Sequence, residues 1–354
     1  MKMRVGVIGA GIFGEHHAAV YSALDAVELV AVCDLQAERA KDVATRFGAL
    51  GWYSSADELF ESVDLDAVSI ATPDDTHTPL VLSAVKRGLH VLCEKPLATT
   101  GSEARLVADA VREAGVTLMV DFHNRVNPPF VKSRQAIGDG EIGAVRHGYL
   151  RLSDTEYVPL GMLPWAQRSS ALWFLGSHGV DLLRFLLDDE VVRVFGVKRR
   201  GKLVELGVDT DDFHVAILEF AQGAVVTIEH SWILPTSQPT VYDFKLELVG
   251  DKGALYVDTS HNRCLELHSG GKMSYPDLLG VAPTGGGRIG GFIQESIASF
   301  VDAVLTGSRP VADANDGARA TEIIEAIEHS ARSGTPVTLD PKGEPSGQET
   351  GAPS

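Results

Sequence analysis

The chain has 354 residues, 44% hydrophobic and 22% charged, a composition that fits a soluble globular protein long enough for two domains with a core each. Lys and Arg number 31 against 48 Asp and Glu, and the net charge of −17 repels phosphate backbones and anionic lipid surfaces, so neither nucleic acid nor membrane is an expected partner. No apolar run approaches the roughly 18 residues of a membrane span, and the amino-terminal apolar segment has strand length and leads into a glycine-rich turn, so a cytoplasmic location is expected.

From Met3 to Phe122, short β-branched runs alternate with helical segments. The runs MRVGVIG, VELVAVCD, DAVSIAT, LHVLCEK and VTLMVDF predict parallel strands, and AERAKDVATRFG, TPLVLSAVKRG and GSEARLVADAVREAG predict crossover helices. This α/β pattern is that of a doubly wound, dinucleotide-binding Rossmann sheet over residues 1–123. After about Asn127 the strands VRHGYLRLSD, FHVAILEFAQG, AVVTIEHSWI and DFKLELVG follow one another with little helix between, which predicts antiparallel pairing. Glycines in AQGA and GDKGA suit hairpin turns. Residues 124–340 are therefore read as an α+β domain with an open, largely antiparallel sheet, one face of which meets another subunit. The helices FIQESIASFVDAVLTG and DGARATEIIEAIEHSARSG close that span, and residues 341–354 form a tail expected to be disordered. Cys33, Cys93 and Cys264 lack metal or CxxC spacing and are read as buried reduced thiols.

The segment GVIGAGIFG sets Gly9, Gly11 and Gly14 in a GxGxxG pattern between a strand and a helix, with Ile12 and Phe13 inside the same loop. The first glycine permits the tight turn, the second lets backbone approach a pyrophosphate, and the third lets helix and strand pack closely. Asp34, at the end of the second strand, stands where an acid takes hydrogen bonds from ribose hydroxyls and repels a 2′-phosphate. This favours NAD over NADP. A helix N-cap before LQAERA is the compatible alternative for Asp34, and Arg39 is expected to face solvent. His16 and His17 have no acidic or thiol partner at ligand spacing, so packing or capping is expected and no metal site is.

This loop together with ATPDDTHTPLVLSAVKRGLHVLCEKPLA resembles the Gfo/Idh/MocA oxidoreductases, the glucose-fructose oxidoreductase and inositol dehydrogenase relatives. The resemblance continues through HNRVNPPF, GSHGVDLLRFL and DGARATEIIEAIEHSA. It implies a Rossmann domain followed by an α/β domain on an open sheet, assembled as homodimers or homotetramers, and NAD(P)-dependent oxidation or reduction of a sugar, cyclitol or sugar-derivative carbon. It further implies that Thr72, Pro73 and His77 line the cofactor cleft and that Glu94 and Lys95 lie near the nicotinamide ribose and the reactive carbon. Position supports this independently, because Glu94, Lys95 and Pro96 end a buried strand, and Pro96 restricts the backbone of Lys95. A surface ion pair is the alternative for Lys95. His123 and Arg125 stand at the domain junction, where the resemblance places contacts to substrate or cofactor, and a hinge ion pair is the alternative for Arg125. Trp165 is read either as a sugar-stacking ring or as a core or interface tryptophan.

Oxidising a carbinol needs a group to take the hydroxyl proton and a positive group to steady the developing oxyanion. Lys95 and His178 are the candidates. His178 shares a helical face with Leu175, Leu182 and Phe185, an apolar wall that favours the neutral imidazole; a core histidine bonded to a backbone carbonyl is the alternative. In relatives an aspartate stands four residues before this histidine. Here the position is Phe174, read as an apolar surface toward substrate or nicotinamide. Asp181 is expected either to orient the His178 ring or, preferentially, to pair with Arg184. With the usual acid missing, a cofactor-binding regulatory protein and a lyase or glycosidase working through transient oxidation stand beside the dehydrogenase reading.

Overall fold

Apolar runs bounded by glycine and acidic turns become strands covered on both faces, as parallel sheets require. The computed structural model describes residues 2–260, 264–269, 271–283 and 289–341. In chain order come β1 (Met3–Ile8), α1 (Ile12–Ala23), β2 (Val27–Cys33), α2 (Ala37–Phe47), β3 (Gly51–Tyr53), α3 (Ala56–Ser62), β4 (Ala67–Ile70), α4 (His77–Lys86), β5 (His90–Cys93), α5 (Gly101–Ala114) and β6 (Leu118–Val120). They build a parallel sheet of order β3-β2-β1-β4-β5-β6. Strand order reverses between β1 and β4, so a crevice opens at the carboxyl ends there.

The chain continues through α6 (Pro128–Gly138), β7 (Val145–Asp154), α7 (Ser177–Leu187), β8 (Val191–Arg199), α8 (Lys202–Glu205), β9 (Phe213–Phe220), β10 (Val225–Ser231), β11 (Tyr242–Gly250) and β12 (Ala254–Asp258). Two small hairpins follow, β13 (Leu267–Ser269) with β14 (Lys272–Ser274) and β15 (Ala282–Pro283) with β16 (Ile289–Gly290). Then come α9 (Phe292–Thr306), α10 (Ala314–Ser333) and β17 (Val337–Thr338). The second sheet has the order β12-β11-β7-β10-β9-β8-β17. Neighbouring strands of this sheet pair antiparallel except at one place. β10 runs parallel to β7, because the helical excursion between β7 and β8 lets the chain return in the same direction.

Two clusters hold the molecule together. One joins the inner face of the second sheet to one side of the first through α10, whose Ile323, Ile324 and Ile327 are fully buried. The other takes Ile297 and Phe300 of α9 into the core of Val5, Val7 and Tyr21, so this helix packs on the first sheet although it lies within residues 124–340 of the chain. The outer face of the second sheet carries a row in register across six strands: Phe195, Ile217, Thr227, Tyr149, Glu247 and Tyr256.

Cys33 and Cys93 are buried, but Cys264 is exposed, correcting the expectation of three buried thiols. It lies beyond edge strand β12 in a run where Leu265 and Leu267 are exposed too. Of the tail 341–354, only Pro341 falls among the described residues. No described helix is long and apolar enough to cross a membrane.

Candidate active site

The glycine loop has the shape that a pyrophosphate needs. Gly9 has φ +94°, and a Cβ there would strike the Ala71 carbonyl, while one at Gly14 would strike the carbonyl of Gly9. At Gly11 nothing lies within 4 Å, and no side chain caps α1, so its first amides point into open space. Ile12 is 56% exposed at the same rim, and Phe13 stacks on His123 with ring centroids 6.3 Å apart. Asp34 Oδ2 accepts from the Ala10 amide (2.9 Å) and Oδ1 from the Gln36 amide (2.8 Å), tying the loop to the end of β2. The N-cap of α2 is Gln36, so Asp34 makes a local turn rather than the cap expected of it. Arg39 is exposed, as expected, and its guanidinium lies 3.6 Å from Asp34. These residues fit a dinucleotide whose ribose meets Asp34 and whose phosphates meet the open amides.

Across the crevice, Thr72 and Pro73 follow β4, and Thr72 Cγ2 stands against Gly9. His77 does not present a free nitrogen to the cleft. Its Nδ1 meets the Pro96 carbonyl (2.7 Å) and Nε2 the Thr72 carbonyl (2.9 Å). Both acceptors need an N–H, so the ring is an imidazolium bracing two loops. Burial opposes that charge, but Cys93, Asp74 and the Pro96 carbonyl hold the group up at about 10. The Lys95-Pro96 peptide is cis.

Glu94 turns into the core, where Oε1 meets His17 Nε2 at 3.2 Å, and Asp121 Oδ2 lies 3.7 Å from the same nitrogen. Tyr21 and Ser69 continue the network on the far side of the ring, and the Ser296 hydroxyl donates to Asp121 Oδ1. Burial alone would keep His17 neutral, but the Asp121 and Glu94 carboxylates raise it to about 9. His17 thus has the acidic partners that its sequence neighbourhood lacks, and they come from two other strands.

Lys95 is 5% exposed and reaches the second domain. Its Nζ donates to the Phe174 carbonyl (3.0 Å) and sits 3.8 Å from the centre of the Phe174 ring. The predicted helix around His178 is real but begins with a π-helical turn, Leu172–Gly176, which carries Phe174. Such widened turns leave backbone carbonyls available to other donors. The Phe174 ring packs between Trp165 (6.0 Å) and the fully buried Trp232 (5.9 Å), and Trp165 is half-buried at the edge. His178 lies 4.6 Å from His123, and neither Nδ1 has a hydrogen-bond partner among the described residues. Burial, then His123, Lys95 and His230, hold His178 well below the usual histidine range, and so keep it neutral.

Arg125 is committed elsewhere. It makes a bidentate pair with Asp181 (2.6 and 2.9 Å) and also donates to Asp316 and the Val311 carbonyl. Arg184 pairs with Glu190 (2.6 Å). Asp181 therefore neither orients His178 nor pairs with Arg184, and Arg125 makes an ion pair at the domain junction. Two further residues enter the site unannounced by motif: Trp232 and the buried Asp154, joined by an indole hydrogen bond of 3.2 Å. The strand-end position of Asp154 was the one available signal.

Residues 3–122 match an oxidoreductase family with an NAD-binding Rossmann fold, and residues 130–256 match the C-terminal domain of the GFO/IDH/MocA group. The chain is 30% identical over 351 residues to an inositol 2-dehydrogenase of Rubrobacter xylanophilus, spanning 96% of this chain and 95% of the relative. It is 29% identical over 343 residues to an inositol 2-dehydrogenase of Rhizobium meliloti, spanning 96% and 100%. Among solved structures, GenD2 from gentamicin A biosynthesis, in complex with NAD, superposes with a TM-score of 0.84 at 27% identity over 96% of this chain and 97% of that one. With both halves matched and the glycine cradle shaped for a dinucleotide, the chain belongs to the Gfo/Idh/MocA family of NAD-binding oxidoreductases.

Proposed function

We propose that this protein is an NAD-dependent dehydrogenase of a sugar, cyclitol or sugar derivative, with Lys95 and His178 as its catalytic residues. The observation that carries the reading is a buried ammonium from the Rossmann domain that bonds the turn leading into α7 and acts on the neutral imidazole of His178 there. Bound NAD supplies the hydride acceptor. Gly9, Gly11, Ile12, Phe13 and Gly14 cradle its phosphates, Asp34 takes the adenosine ribose, and Thr72 and Pro73 form the opposite wall. A neutral His178 accepts the hydroxyl proton at a ring nitrogen, and Lys95 steadies the oxygen as its charge develops. His123, Trp165 and Phe174 form an aromatic wall for the substrate ring, whose C–H face stacks there. The junction near residue 123 divides cofactor and substrate domains. The row of Phe195, Ile217 and Tyr256 on the open sheet is the face through which two copies pair, in the cytoplasm and without nucleic acid or membrane.

A panel of cyclitols, sugars and sugar acids, each offered with NAD and with NADP, tests this by absorbance of the reduced cofactor. Oxidation of at least one polyol with NAD preferred is the expected result. Product release without net NADH would assign the chain to transient-oxidation chemistry instead.

A further inference from the structure

Behind Phe174 stands a buried carboxyl from another strand. Asp154 is the last residue of β7 and is 4% exposed. Its Oδ2 accepts from the Trp232 indole (3.2 Å), the one hydrogen bond its side chain makes among the described residues. Trp232 packs on Phe174 at 5.9 Å, and Phe174 carries the Lys95 ammonium on its face at 3.8 Å. A chain of two rings thus sets Asp154 against Lys95 from the opposite domain.

Some other buried acids of this molecule are paired with a cation, and Asp212 instead accepts the backbone amides of Lys202 and Leu203. Asp181 has Arg125, and Asp121 has His17. Asp154 has no ion pair within 4 Å among the described residues, although burying an unpaired carboxyl is costly. A buried acid perturbed by burial and by a specific charged neighbour is a candidate functional group. Asp74, the other buried acid near Lys95, is taken by the Ser169 hydroxyl (2.7 Å) on the cofactor side.

We propose that Asp154 is a substrate-binding carboxylate of the reaction site, facing Lys95 across Phe174 and Trp232 and accepting a hydrogen bond from a second hydroxyl of the polyol. This rests on the dehydrogenase reading above. A carboxylate has about four acceptor positions, and the indole fills one. The remainder select a substrate with a hydroxyl beside the reacting carbon. The groups that act on Asp154 are few: burial pushes it up, the Trp232 indole and Lys95 pull it down, and it settles at about 7. Tyr242, its partner in register on β11, is itself pushed up by burial and by Asp277 and Asp154, and stays neutral.

The test uses the whole protein. In the protein without NAD, carbon-13 carboxyl NMR should show Asp154 titrating near neutrality, and Lys95→Met should raise that midpoint. Asp154→Asn keeps an acceptor for the indole, so NAD affinity and Tm should stay at wild-type values. Its kcat/KM for the polyol should fall ten- to a hundredfold, through KM more than kcat, and the acid limb near pH 7 should vanish. Wild-type kcat/KM in Asp154→Asn, or an Asp154 midpoint indifferent to Lys95→Met, overturns the proposal. If the wild type oxidises no polyol, the dehydrogenase reading fails on its own, and the Lys95 coupling together with polyol-binding heat still decides the role of Asp154.

Discussion

Lys95→Met separates catalysis from architecture at this site. Methionine keeps most of the stem of a side chain that is 5% exposed, but deletes the ammonium that meets the Phe174 carbonyl at 3.0 Å and its ring at 3.8 Å. The charge-assisted bond contributes about 1.5–3 kcal/mol and the cation–π contact up to about 2 kcal/mol. Burying an ammonium costs several kcal/mol, and the variant escapes that cost. The two sides nearly cancel, so urea unfolding should shift by no more than about 1–2 kcal/mol. Turnover has no such compensation. Removing a preorganised donor from a developing oxyanion costs about 2.7–4 kcal/mol, a loss of roughly a hundred- to a thousandfold. Steady-state absorbance at saturating NAD measures the loss, and calorimetry should give NAD affinity within about threefold of wild type. A folded, NAD-binding variant with undiminished turnover would refute the assignment and return Lys95 to a bracing role between the domains.

Asp34→Ala removes two amide acceptors and the acid beside the ribose, so NAD affinity should fall while NADP binding falls less or rises; calorimetry that finds wild-type protein binding NADP as tightly as NAD would contradict this. His178→Ala should abolish most turnover with little change in Tm, because its Nδ1 makes no hydrogen bond that the variant would lose, whereas earlier melting with activity kept per folded molecule would make it a core residue. Stability should also fall at alkaline pH. His17 and His77 have folded values raised to about 9 and about 10, so their contribution is fully present below about pH 6.5 and is lost as pH rises through those values. His17 alone contributes on the order of 3 kcal/mol, and denaturation at pH 7 and pH 10 should show His17→Gln with a flatter profile than wild type.

What could be read from the residues alone was whatever depends on local order. Parallel strands buried on both faces appear as unbroken apolar runs, so β1, β2, β4, β5 and β6 were legible, whereas β3 is three residues at a sheet edge and gave no run to read. The glycine loop, Lys95 and His178 were legible because strand-to-helix turns and strand ends are local too. Pairing between distant segments was not. Nothing near His17 announces Glu94, 77 residues away, and nothing near Asp181 announces Arg125, 56 residues away. The parallel seam between β7 and β10 failed for the same reason, since strand direction depends on the path of the chain between them.

Phe174, where the family resemblance implies an aspartate, changes more than one contact. An aspartate there would neutralise Lys95 in an ion pair and offer the histidine a hydrogen bond. A phenylalanine ring and a backbone carbonyl hold the same ammonium in place without cancelling its charge. That uncancelled charge is felt at two neighbours with opposite consequences. At His178 it adds to burial and His123 in excluding the proton, which leaves the imidazole ready to accept one. At Asp154 it works against burial and favours the ionised carboxylate. On the proposed assignment Lys95 acts on both the base and Asp154 before any substrate enters, and the charge proposed to steady the oxyanion adds to the burial that keeps the proton acceptor empty.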